Sequence, residues 1–172
     1  MMSTVIPSNV VYLSADQRQS EVIESAMRKA GSSVVHLDVG AAVDNDSLID
    51  ILNLELVLPD PIGGIDGAID WISDTDYVAN ESGMVWFVTG HGNLLADRME
   101  TLKSFIIVIV GVYDRLRTQN VPFVVAFMGD DKKIVSKLSE MFEQENESMR
   151  QAAKYPGTID IQEVFVVDYP DF

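Results

Sequence analysis

Two uninterrupted apolar runs, Met84–Val88 (MVWFV) and Phe123–Met128 (FVVAFM), restrict what this chain can fold into more than any other feature. A strand with one wetted face alternates apolar and polar residues. Continuous β-branched and aromatic runs belong to strands covered on both faces, as in a parallel sheet flanked by helices. Between the two runs, roughly Ala96 to Thr118 reads as one long helix, and its Phe105–Tyr113 stretch (FIIVIVGVY) is greasy enough that it should lie deep against the sheet.

The rest of the chain extends the same alternation. Asn9–Leu13 (NVVYL) reads as a strand, and Ser14–Gln17 has a capping-box spacing that opens a helix through about Lys29, closing at Gly31. Ser33–Val39 (SVVHLDV) predicts a second strand, and Asp46-Ser47 is expected to cap a helix over Leu48–Leu56 that Pro59 and Pro61 end. Apolar residues at 65, 68, 69 and 72 predict a short helix over Ile65–Ser73. Lys132 to about Lys154 is amphipathic and stops before Pro156-Gly157, and Ile161–Val167 is a last strand. The expected fold class is α/β, a mostly parallel β-sheet packed with helices, forming one domain over residues 1–172.

Composition narrows the chemistry. With 47% apolar residues in 172, the chain can build a core without disulfides or a structural metal. The absence of cysteine removes thiol nucleophiles and zinc-thiolate sites and fits a cytoplasmic setting. The first nine residues lack the basic and apolar regions of a signal peptide, and Phe105–Tyr113 falls far short of the roughly 20 residues of a membrane span.

A net charge of −15 repels nucleic acid and anionic membranes and favours cationic partners. Its distribution says more than its total. From Gly31 to Ala96 there are eleven acidic residues and no lysine or arginine. Asp66, Asp70 and Asp74 recur every fourth residue, which places them as a carboxylate stripe on the side of the short helix away from Ile65, Ile69 and Ile72. Like charges at this spacing cost an isolated helix about 0.2–0.5 kcal/mol per pair, partly offset for Asp66 by the helix N-terminus. Asp60, Asp76 and Glu81 flank the stripe, Trp71 lies at its margin and Gly67 leaves bare backbone beside it. An aromatic anchor among uncompensated carboxylates has the composition of an interface hot spot, whereas Trp71 packed under the following loop is the structural alternative.

Other motifs carry less. The turn Thr89-Gly90-His91-Gly92-Asn93 follows a strand but matches neither phosphate-binding fingerprint, and His91 has no paired nucleophile. It is expected to be a tight turn. His36 sits within a strand, where a satisfied structural role is expected. Gly63-Gly64 precedes the short helix, but a phosphate there would face Asp60, Asp66 and Asp70. Hard cations are the alternative ligand for the carboxylates, although no EF-hand loop is present, so neither a metal nor a cofactor is expected.

The order strand (SVVHLDV), helix (DSLIDILNLEL), Leu58-Pro59-Asp60 with Gly63, Ala68 and Ile69, strand (MVWFV), long helix and strand (PFVVAFM) resembles the barstar family of intracellular ribonuclease inhibitors. The resemblance covers roughly residues 33–129, leaving 1–32 as a strand-helix addition and 130–172 as a helix-strand addition. It implies that the short helix and the loop before it cover the active site of a nuclease, with carboxylates standing in for RNA phosphates. The family's two inhibitory aspartates would fall at Gly67 and Trp71, one position after Asp66 and Asp70. Its acidic residue near the end of the long helix would fall at Arg115. A one-residue shift turns a helical side chain by about 100°.

The expected function is therefore that of an immunity protein or antitoxin that binds a basic protein toxin, without chemistry of its own. The expected contact set is Asp60, Gly63, Asp66, Gly67, Asp70, Trp71, Asp74 and Asp76, with no catalytic residue, in a cytoplasmic monomer. Two alternatives stand beside it: an α/β enzyme using His91 at a strand end, and a homo-oligomeric adaptor with Phe105–Tyr113 as its seam.

Overall fold

The structure is a computed structural model and describes residues 10–56, 63–75, 81–152 and 165–167. Strand β1 (Val10–Ala15) leads into α1 (Gln17–Lys29), β2 (Ser33–Asp38) into α2 (Asn45–Leu56) and α3 (Ile65–Ile72), and β3 (Met84–Thr89) into α4 (His91–Asp97) and α5 (Met99–Thr118). Strand β4 (Phe123–Met128), α6 (Lys132–Ala152) and β5 (Phe165–Val167) complete the order. All strand pairs are parallel, in the spatial order β2-β3-β4-β1-β5, so β2 forms one edge. The chain is α/β, as its apolar runs predict.

Alternation along the strands divides the core in two. Val11 and Leu13 of β1, Leu37 of β2, Met84, Trp86 and Val88 of β3, and Phe123, Val125 and Phe127 of β4 face a large cluster built with α2 to α6. The intervening Val10, Tyr12, Val85, Phe87, Val124 and Ala126 face a smaller cluster closed by Ile23 and Met27 of α1. Helix α1 is the one described helix in that smaller cluster. Along α5, Phe105, Ile106, Val108, Ile109, Val110 and Val112 are all buried in the larger cluster. The stretch considered as a dimer seam is consumed by this core. Among the described residues no helix is long and apolar enough to cross a membrane.

Several local expectations are corrected. The cap of α1 is Asp16, whose Oδ1 accepts from the Gln19 amide while Gln19 returns a bond to the Asp16 amide. The box thus lies two residues after Ser14–Gln17, because β1 continues through Ala15 and the Ser14 hydroxyl donates to the Gly129 carbonyl beside it. Helix α2 likewise starts earlier: Asp44 accepts from the Ser47 amide and Ser47 Oγ accepts from the Asp44 amide. The glycine-rich segment after β3 is no simple turn, since His91 already begins α4. The long helix expected over roughly 96–118 is α5, starting at Met99, and a separate short α4 precedes it, the two parted at Arg98, whose φ of −136° and ψ of 50° are non-helical. The last strand is described only at Phe165–Val167; residues 161–164 lie outside the described set.

Gly90 explains how the β3–α4 corner closes. Its φ is +80°, and a Cβ there would lie 2.4 Å from both Asp38 Oδ1 and the Gly40 amide nitrogen. Only glycine lets the loops after β2 and β3 cross this closely.

Candidate protein-binding site

Helix α3 forms where Ala68 and Ile72 can be fully buried and Ile65 and Ile69 half-buried, with Asp66 and Asp70 left exposed. Its docking partner is α5. A Cβ at Gly111 would sit 2.6 Å from Ile69 Cδ1 and 3.0 Å from Cγ1, so the missing side chain on α5 makes the seat for Ile69. One turn further along α5, on the same face, Arg115 reaches Asp70 and donates from Nη1 to Oδ1. An apolar lock and an ion pair therefore fix α3 side by side.

The pair corrects the expectation that the carboxylates are uncompensated. Arg115 and Asp70 are 52% and 60% exposed, so their attraction is screened by water and is worth at most about 1 kcal/mol. Arg117, two residues on, is committed to Asp114 of its own helix through bonds of 2.8 and 3.1 Å. Among the described residues, Asp66 and Asp70, the two carboxylates of α3, therefore meet one guanidinium, and the helix keeps a net negative face. Asp66 forms no ion pair among the described residues, and it lies in the first turn, where the helix N-terminus favours a carboxylate.

Asp74 and Trp71 are half-buried and both interact with neighbouring groups, so Trp71 is partly committed to the fold. Gly63 is exposed, and Gly64, with extended backbone, is the N-cap of α3 without a side-chain bond. Gly67 is half-buried in the first turn. Asp60 and Asp76, also expected in the contact set, lie outside the described residues. The structure thus brings Asp66, Gly67, Asp70 and Trp71 onto one helix, leaves Asp74 just past the C-cap Ser73 because the helix ends at Ile72, and adds Arg115, which sequence reasoning did not place there as a partner. The available clue was its register: Arg115 is four residues after Gly111, the one glycine in an otherwise bulky apolar helix.

The two histidines sit in contrasting surroundings, and His36 has the satisfied structural role expected of it. His91 is 6% exposed, its ring edge-on to Phe127 at 5.0 Å, and its Nδ1 has no hydrogen-bond partner. Burial holds its pKa down at about 4, so it is a neutral core group at pH 7. His36 is not a core histidine. Its side chain is 67% exposed, stacked on Phe87 with centroids 5.1 Å apart, and its Nε2 is 3.1 Å from Glu24 Oε1. Among the described residues, no group of three His, Asp or Glu side chains is arranged to hold a metal ion.

Comparison with protein-family models, curated proteins and solved structures finds no match to this chain.

Proposed function

We propose that this chain is an inhibitory binding protein, an immunity protein or antitoxin that occupies the active site of a basic protein toxin in the cytoplasm. The observation that carries this reading is the acidic face of α3, held in place by the Ile69–Gly111 contact on a helix buried in the core. A partner meets Asp66 and Asp70 already ordered. Ordering that is complete before binding does not have to be supplied during it, and the excess negative charge accelerates encounter with a cationic cleft. Trp71, at the margin of the carboxylates and only half-buried, supplies apolar contact area.

The resemblance to barstar-like inhibitors supports the same assignment from the order of elements. The charges differ in register, and Arg115 stands beside Asp70, so the partner's complementary surface must offer a hydrogen-bond acceptor or an acid among its basic groups. The test is co-expression of this chain with the product of the adjacent gene in its native genome. Restored growth of cells poisoned by that product supports the assignment. Failure to protect, together with substrate turnover by the purified chain that disappears in His91→Ala, would replace it with an enzyme.

A further inference from the structure

Among the described residues, strand β2 is the edge of the sheet, and no strand neighbours its outer side. The Ser33 amide donates to the Gly83 carbonyl just before β3 and the Val39 amide to the Thr89 carbonyl at its end, so the backbone groups of Val34, His36 and Asp38, of opposite parity, point outward. The side chains of those same residues stand on the α1 face. There, between α1 and the edge, lies a groove of about 280 Å³. Its floor includes the His36–Phe87 stack, and its walls carry Glu21, Glu24, Asp38 and Glu55, with no lysine or arginine among the residues that line it. Glu24 also lies 3.4 Å from Arg28, one turn along α1, and Asp38 accepts from the Gly40 amide, which leaves the groove acidic.

We infer that β2 and this groove form a second interaction surface, for an extended basic segment of a polypeptide partner. The segment pairs its backbone with the outer edge of β2 and lays an arginine side chain across the imidazole of His36, among the four carboxylates. The chemistry selects this occupant on three counts. The edge offers a row of main-chain donors and acceptors, which an added strand satisfies. The carboxylates line the groove without forming, among the described residues, a group that could hold a metal ion, so they suit a cation with a long apolar stem better than a metal ion. A flat aromatic floor stacks with a guanidinium plane and not with an ammonium. The surface lies on the α1 side of the sheet, opposite α3, and stands independently of the toxin-inhibitor assignment.

The test uses the full chain and a blocked pentapeptide of threonine and valine with a central arginine, followed by amide NMR. The arginine peptide should shift His36 and Phe87 and slow hydrogen exchange at Val34, His36 and Asp38. Replacing the arginine with lysine should weaken binding, and replacing it with glutamine should abolish it. His36→Ala and Glu21→Gln, both at solvated positions, should each weaken the arginine peptide about three- to fivefold, whereas Glu143→Gln on α6 should leave it unchanged. Equal binding of the glutamine peptide would overturn the inference. So would shifts confined to α3, or no binding at millimolar peptide.

Discussion

Arg115 of α5 donates a hydrogen bond to Asp70 of α3 across 45 positions of sequence, and so places a cation against the second carboxylate of the acidic helix. The pair is exposed on both sides, and its consequence is therefore one of orientation and charge more than of stability. A double-mutant cycle with Arg115→Ala and Asp70→Asn should give a coupling below about 1 kcal/mol in urea denaturation, shrinking further in high salt. A larger, salt-insensitive coupling would mean that the pair is structural.

The seat of α3 is a different matter. Gly111→Val places two methyl groups where Ile69 already lies within 2.6 Å of the first added carbon, so the helices must separate. We expect a loss of about 1–3 kcal/mol, with partial recovery in the Gly111→Val, Ile69→Ala double variant. Gly111→Ala is the subtler case, because its helix-propensity gain of about 1 kcal/mol opposes the clash. Chemical denaturation of the three variants beside the wild type separates the two effects.

His91 makes the fold sensitive to acid. An imidazole with a pKa of about 4 in the native state and 6.5 in the unfolded state binds its proton first in the unfolded chain. Its contribution is fully present above pH 6.5, is lost as the pH falls toward 4, and levels off below. The difference amounts to about 3 kcal/mol over that window. Denaturation midpoints measured between pH 7 and pH 4 should fall, and the fall should be reduced in His91→Phe. An unchanged slope in that variant would assign the acid sensitivity to other groups.

How much of this was legible in the sequence follows from the range of each signal. The buried strands could be read directly because MVWFV and FVVAFM are continuous and because parallel strands need both faces covered. The α3 carboxylates could be read because Asp66 and Asp70 lie one turn apart within eight residues of helix, whereas the helix end at Ile72, which leaves Asp74 past the cap, is not marked by the four-residue spacing. Caps were misplaced by two residues where two patterns overlap: Ser14–Gln17 and Asp16–Gln19 both suit a helix start. The choice between them depends on Ser14 meeting Gly129, 115 residues away. The break at Arg98 involves neither glycine nor proline and leaves no local mark. The Asp70–Arg115 pair and the groove beside β2 unite residues from separate elements, and a window sliding along the chain has no access to them. The exposure of His36 followed from edge position, which depends on the strand order and not on the strand itself.

The central claim is that the acidic face of α3 meets a basic partner. Its most direct test is the association rate of the purified chain with the adjacent gene's product, measured by stopped-flow with Trp71 as the fluorescent reporter, for wild type and for Asp66→Lys with Asp70→Lys. The account predicts that the double reversal slows association by about tenfold or more at low salt, that the difference narrows as salt is added, and that protection in cells is lost. Association and protection unchanged by both reversals would contradict it and place the interface elsewhere on the molecule.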